Sequence, residues 1–534
     1  MGVPGLYNFV CNQAAFHDAE LWRCIVYLDA SNLYHHLYFA RAKASNCGGA
    51  YIDFALECNL FFDSLLRAEC SVKLVLDGTL DLDGRKLDSL TKRYIHNLER
   101  ALDLVKFSQM RPLVGSLAWY NFLQIARFYS NVSILQTPFD ADHTIAFLAR
   151  RDNACVITRD SDFFLFDIPN GVINLEYFRF RQLTNGPLSC EIYKRNNLAA
   201  NFELADSLLP LIAAAFGNDI EDSVLFQKYL DSLNRRPGRY WKFQAFLRDL
   251  SDCENIDSAL SKIVTVCTHS VDLEEQIMRC YRYYNLLEEP TPDVDIRHHL
   301  NDDLVDLLGQ AKVHHCIRTI VLHNFNFLSV VVQDHSKPCV YNISMPLRRN
   351  LYALLNVKEP ITEVGFTINY NINYQKVFKS DFKITPNEGL ESLFFRSCLS
   401  ETLNFNDCHC VFLVAFRALF YLIDDFTLFP DFKVIMKCVL YFYFSGSSSI
   451  VNVSNFKPRR RWLHALAIFQ SCLFNVILIN QVLGRPFPEP SINQCIDYST
   501  VFSLLNRKIP KDLTTFSSEE LELYNDALKF VDDV

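Results

Sequence analysis

The chain has 534 residues, half of them hydrophobic, and carries a formal net charge of −9 at neutral pH. That length and apolar share favour two large domains and exclude a disordered tail protein; the charge excludes coating of nucleic acid by bulk attraction but not a local basic groove. The 18 cysteines run from Cys11 to Cys495 without a CxxC pair, so mostly buried thiols in a reducing, intracellular setting are expected rather than a secreted disulfide framework.

The first stretch, MGVPGLYNFV, lacks the charged patch and longer apolar run of a secretory signal, and Leu6 stands where N-myristoylation wants Ser or Thr. It is expected to stay on the mature protein, with Gly2, Pro4 and Gly5 forming a tight loop. Up to about residue 222, apolar β-type runs alternate with helical stretches. RCIVYLDAS, VKLVLDG, VSILQTPFDAD and ACVITRDSD each predict a short buried strand followed by a turn, as in a parallel sheet covered by helices. A polar, helical insertion at about 78–130 interrupts this α/β pattern. The strip LNRRPGRYWKF (233–243) marks the expected boundary, giving domains at 1–235 and 236–534. The second part reads mostly as helices, with one β-like patch at 363–378. The apolar runs 411–423 and 434–444 fall short of the ~20 residues a membrane span needs, and each carries a charge, so core helices and no membrane contact are expected.

Every one of the four strand-like runs ends in aspartate: Asp29, Asp77, Asp140 with Asp142, and Asp160 with Asp162. Asp219 follows an apolar helical run in AAFGNDIED. In an open parallel sheet the ligand site lies beyond the carboxyl ends of the strands, where these side chains should converge. One such Asp is commonly a turn former or helix cap. Seven at successive ends, including two D-x-D pairs, point instead to a hard cation, because like charges in one cleft raise each other's pKa sharply. Oxygen ligands select Mg²⁺ or Mn²⁺, and two ions ~3.5–4 Å apart would suit metal-assisted phosphodiester hydrolysis. Lys86 and Arg93 lie two helical turns apart on one face, where both cations could meet a phosphate.

These residues resemble the flap endonuclease (XPG-like) superfamily of structure-specific nucleases. MGVPGL, DAS at Asp29, LDG at Asp77, the acid-x-acid pair Asp140 and Asp142, the D-x-D of Asp160 and Asp162, and GxD at Asp219 fill its acid positions. Lys86 and Arg93 match its basic pair. GGAYIDFA, DSDFFLFD, FGND and PFPEPSI are most similar to the asteroid group. The resemblance implies a PIN-like/XPG-like parallel sheet flanked by helices with a helical insertion, followed by a mainly α-helical C-terminal domain. It also implies that the glycine-rich start, Gly2 above all, packs beside the active centre and touches nucleic acid, and that the stacking aromatic of the family falls at His35 or the adjacent Tyr34.

Two departures stand out. The acid-x-acid pair is usually Glu-x-Glu, so Asp140 and Asp142 are each one methylene shorter. The Gly-rich helix-hairpin-helix that grips duplex DNA after GND is replaced by IEDSVLFQKYLDSL. A substitute is Arg235, Arg236, Arg239 and Lys242 interleaved with Tyr240 and Trp241, since basic and aromatic groups together suit phosphate contact and stacking; a solvated linker face would look the same. His298, His299, His314, His315 and Cys316 do not have zinc-finger spacing, and KPRRRW (457–462) reads as a basic helix start or an import signal. The expectation is a Mg²⁺- or Mn²⁺-dependent endonuclease acting on branched or flapped DNA, with RNA left open, protein partners on the C-terminal half and a nuclear location. The alternative is a catalytically weak or inactive nuclease-like scaffold acting through its C-terminal domain.

Overall fold

The computed structural model describes residues 2–41, 47–78, 87–106, 112–181, 185–218, 223–233, 238–267, 271–285, 296–368, 371–383, 388–399, 408–446, 459–507, 509–510, 513 and 516–534. It divides into two compact units that interleave along the chain. The first comprises Met1–His36, Leu60–Ser89 and Tyr129–Asp293, and the second Leu37–Asn59, Leu90–Phe128 and Val294–Val534.

The first unit is built on a seven-stranded sheet: β1 (Phe16–Leu21), β2 (Ile25–Asp29), β3 (Ser71–Leu76), β4 (Val132–Gln136), β5 (Cys155–Thr158), β6 (Val172–Asn174) and β7 (Leu188–Tyr193), in the order β1-β7-β6-β5-β2-β3-β4. The five strands from β6 to β4 run parallel. β7 is antiparallel to both β6 and β1. The four strands expected from the sequence are β2 to β5. They lie side by side, and central β2 and β5 are continuous apolar runs because both faces are covered.

The helices after the basic strip belong to this unit. Phe243, Phe246 and Leu247 of Trp241–Asp249, Ile263 and Val264 of Ile256–Cys267, and Ile277 and Tyr284 of Val271–Asn285 share one core with Ile145, Phe163 and Ala213. The unit therefore runs on to Asp293, not to a boundary near residue 235, because these helices supply apolar surface that the sheet's own helices leave uncovered.

The second unit is mainly helical. Cys410–Tyr421 and Phe432–Ser445 are core helices, as the runs 411–423 and 434–444 predict. Among the described residues, Arg460–Val482 is long and apolar enough to cross a membrane, and 94% of its apolar window is buried inside the fold, the condition of a core helix. The β-like patch forms β9 (Ile361–Ile368) and β10 (Asn371–Val377), joined on β9 by β8 (Phe325–Phe327). Under this sheet the Arg348 guanidinium grips Glu363 at 2.6 and 2.9 Å, and the Tyr352 hydroxyl donates to the same carboxylate at 2.6 Å. Segments from the first quarter of the chain close this unit: the Tyr51 hydroxyl donates to Gln470 Oε1 at 2.7 Å, and the Ile52 amide to Asp497 Oδ1 at 3.3 Å.

Candidate active site

Six of the seven expected aspartates lie in the first unit among the described residues, at the carboxyl ends of β2, β3, β4 and β5. Asp29 ends β2 and is 4% exposed. Its Oδ1 accepts the Asn32 amide at 3.1 Å. Asp77 follows β3; its Oδ2 accepts the Ser31 hydroxyl at 2.6 Å and its Oδ1 the Ala141 amide at 3.0 Å. That second bond ties the end of β3 to the start of helix Asp142–Arg151. Asp142 opens this helix, where the positive end of the helix dipole favours a carboxylate. Asp160 caps the short turn Ser161–Phe164 through the Asp162 amide at 3.2 Å, and both aspartates are buried.

Carboxylate oxygens of Asp29, Asp142 and Asp160 all lie within 4.8 Å of one another. Oxygens around an ion at ~2.1 Å are at most about 4.2 Å apart, so modest rotamer adjustment seats one hard divalent cation among the three. Burial, then the charges of Asp77, Asp160 and Asp140, push the Asp29 carboxyl well above the usual carboxylate range, with the Asn32 amide opposing. This all-oxygen set, holding an acid whose charged form is disfavoured without a counterion, fits a Mg²⁺- or Mn²⁺-type ion.

The N-terminal turn lies on the acids. Gly2 has φ +77°, and a Cβ there would meet Ser161 Oγ at 2.4 Å, Asp162 Oδ1 at 2.5 Å and Asp160 Oδ1 at 2.6 Å. Only glycine fits this approach in this conformation. The Val3 amide donates to Asp162 Oδ1 at 3.0 Å. Behind the turn, Phe9 stacks on Phe243 at 4.9 Å and Phe243 on Phe216 at 4.1 Å. The turn is thereby fixed to the helix Trp241–Asp249 that follows the basic strip.

The structure adds residues that motif reading missed. The Tyr283 hydroxyl, from helix Val271–Asn285, lies 3.5 Å from Asp140 Oδ2. Its ring packs on His143 and Phe166, both at 5.5 Å. Burial and then the charges of Asp140, Asp142, Asp162 and Asp160 hold this phenol well above its usual pKa, so it stays a neutral donor. Tyr284 accepts from Asn218 Nδ2 at 3.1 Å, next to the Asp219 position. No sequence spacing links this tyrosine pair to the acids. The available signal was its place on an amphipathic helix sharing the core of the sheet.

The remaining expected residues are more dispersed. Lys86, Asp219, Arg235 and Arg236 lie outside the described residues. Arg93 is half-buried on helix Leu87–Lys106, within the second unit. On helix Ala30–Arg41, Tyr34 is half-buried and His35 exposed, their rings 4.6 Å apart. Arg239 is exposed with its guanidinium 5.6 Å from the Tyr240 ring centre, and Lys242 Nζ is 5.9 Å from that of Trp241.

The chain matches the family model described as the asteroid N-terminal domain over residues 431–534. It is 24% identical over 416 residues to the zebrafish (Danio rerio) protein named single-strand DNA endonuclease ASTE1, covering 70% of this chain and 58% of that one. The human (Homo sapiens) protein of the same name is 24% identical over 389 residues, covering 66% of this chain and 56% of the relative. Protein asteroid of Drosophila melanogaster is 24% identical over 331 residues, covering 50% and 38%. The chain thus spans less than three fifths of the length of these relatives. Among solved structures, the catalytic core of Rad2 in complex with DNA substrate aligns at TM-score 0.32 and 14% identity, over 60% of this chain and 99% of that one. The family model and the relatives bear out the resemblance to the asteroid group.

Proposed function

We propose that the chain is a metal-dependent DNA endonuclease that cuts a phosphodiester bond at the carboxyl edge of the first unit's sheet. The observation that carries this reading is the convergence of Asp29, Asp142 and Asp160 within ligand distance beneath the N-terminal turn. The name of the vertebrate relatives points the same way, toward single-stranded DNA as the strand that is cut.

In this reading the aspartates bind two Mg²⁺ or Mn²⁺ ions, with Asp219 completing the set. A bound divalent ion supplies a hydroxide nucleophile at neutral pH and neutralises charge on the phosphate. The protein's part is placement. Ser31 and the Ala141 amide hold Asp77, Tyr283 holds Asp140, and the Gly2 turn lies directly on Asp160 and Asp162, where it touches the nucleic acid beside them. Lys86 pairs with the phosphate. Tyr34 or His35 stacks on a base, and Arg235, Arg236, Arg239 and Lys242 track the strand that leaves the site. Branched or flapped DNA is the preferred substrate and the nucleus the site of action.

The test is cleavage of labelled single-stranded, duplex, 5′-flap and 3′-flap DNA, and of matching RNA, with Mg²⁺, Mn²⁺ or EDTA, beside Asp160→Asn. Metal-dependent cutting that the variant loses, while its thermal unfolding stays intact, is the expected result. No cutting by folded, metal-loaded protein favours the scaffold reading, to which the shorter Asp140 and Asp142 side chains would contribute.

A further inference from the structure

At the edge of the sheet opposite the acids lies a cluster of thiols. Cys24 and Cys70 immediately precede β2 and β3, which pair in parallel with Ile25 opposite Ser71, and the Ser71 amide donates to the Cys24 carbonyl at 2.9 Å. The two Sγ atoms are 3.7 Å apart. Cys155 opens β5 with its Cα paired to that of Val26. Since side chains two apart on a strand share a face, register puts all three thiols on one face of the sheet.

Local backbone reinforces the pairing. Arg23 and Glu69, one residue before each cysteine, both have φ +51°, an uncommon conformation for residues with a Cβ. Their side chains form a two-pronged ion pair at 2.9 and 3.1 Å. Two matching bends thus deliver Cys24 and Cys70 to the same level of neighbouring strands. Adjacent strands are about 4.8 Å apart, inside the ~4.4–6.8 Å Cα range of a disulfide, so small side-chain rotations suffice to bring sulfur to sulfur.

Access is unequal. Cys24 is half-exposed, whereas Cys70 and Cys155 are 1% and 5% exposed. A hollow of about 400 Å³, lined by Glu69, Cys70, Lys73 and Asn131 among others, opens beside Cys70. Hydrogen bonds from Cys155 and then Cys70 hold the Cys24 thiol well below its usual pKa, while the same contacts raise Cys70 and Cys155.

We propose that Cys24 and Cys70 form a thiol-oxidation site in which Cys24 reacts with a low-molecular-weight disulfide and Cys70 resolves the adduct. The Cys24 thiolate attacks one sulfur of the small disulfide, breaking its S–S bond and releasing one thiolate. Cys70 gives up its proton and attacks Cys24 Sγ, expelling the second thiolate. The protein loses two protons and two electrons, and the small disulfide becomes two thiols. The product ties β2 to β3 at the ends opposite Asp29 and Asp77.

The test is chemical and does not depend on nuclease activity. Reduced full-length chain is exposed to oxidised glutathione, alkylated, digested and mapped by mass spectrometry. The expected result is a Cys24–Cys70 linked peptide, formed about tenfold or more faster than glutathione adds to Cys408, which is exposed. Cys70→Ser should leave glutathione on Cys24, and Cys24→Ser should leave neither product. Reaction of Cys24 in the unmutated chain no faster than that of Cys408, or a linkage of Cys24 to Cys155 instead, overturns the proposal without use of either variant.

Discussion

Replacement of Gly2 by alanine probes the N-terminal turn most directly. An added Cβ would lie 2.4–2.6 Å from Ser161 Oγ and two carboxylate oxygens, where real Cβ contacts essentially never fall under 3.0 Å. Something must therefore yield by about half an ångström, a displacement that the near-ideal geometry demanded by Mg²⁺ tolerates poorly. The left-handed φ costs a further ~1–2 kcal/mol in a residue with a Cβ. Loss of the Val3 amide bond to the Asp162 carboxylate adds about 1.5 kcal/mol. Together these make about 3 kcal/mol, a factor of roughly 100. Gly2→Ala should therefore weaken Mn²⁺ binding by calorimetry, and slow cleavage, by up to about 100-fold, with little change in global Tm because only the turn is affected. Gly5→Ala is the internal control: its φ is +82°, but its Cβ would meet only Phe243, at 3.5 Å. It should cost only the backbone term, about tenfold. Wild-type metal affinity in Gly2→Ala, or equal losses in both variants, would refute the argument.

Other expectations follow from the acids and the buried pair. Because the folded Asp29 pKa is raised, metal-free protein keeps a proton that the unfolded chain has lost. Its stability should fall as pH rises from about 4 until the folded pKa is passed, and saturating Mg²⁺ should abolish that slope. Asp29→Asn should raise the Tm of EDTA-treated protein at neutral pH, and an unchanged pH slope in this variant would count against the acid cluster as its source. Tyr283→Phe, which keeps the ring and its packing, should weaken Mn²⁺ binding by about tenfold while sparing Tm, since one hydrogen bond to a charged group contributes ~1.5 kcal/mol. In the second unit, Glu363→Ala leaves the Arg348 guanidinium, 2% exposed, without its countercharge and should cost about 3–5 kcal/mol in chemical denaturation.

The strands that carry the acids were legible because each is an apolar run closed by aspartate, and a buried parallel strand needs that continuity. β1 was not, since His17, Asp18 and Glu20 on an exposed edge break the apolar run. β6 spans only three residues, too short for any period to register. The basic strip at 233–243 suggested a boundary by composition. Yet Phe243, Phe246 and Leu247, at helical spacing, carried the opposite signal, an amphipathic helix bound for a core. The site divides similarly. Asp29, Asp77 and the two D-x-D pairs sit where the chain turns out of the sheet, so local pattern announces them. Tyr283 reaches Asp140 across 143 positions of sequence, and only tertiary packing brings it there. The close approach of Gly2 to Asp160 and Asp162 could be expected from the family resemblance, but its tightness belongs to the fold alone.

The closure of the second unit bears on how the chain acquires its structure. Tyr51 meets Gln470 and Ile52 meets Asp497, contacts spanning 419 and 445 positions. A segment synthesised early thus stays without its partners until nearly the whole polypeptide has followed. Loop-closure entropy grows slowly with length, so such a design is affordable at equilibrium, but contacts this distant delay assembly and lengthen the time that Tyr51, Phe54 and Phe122 are open to misassociation. Slow, chaperone-sensitive folding is the kinetic signature that this connectivity implies.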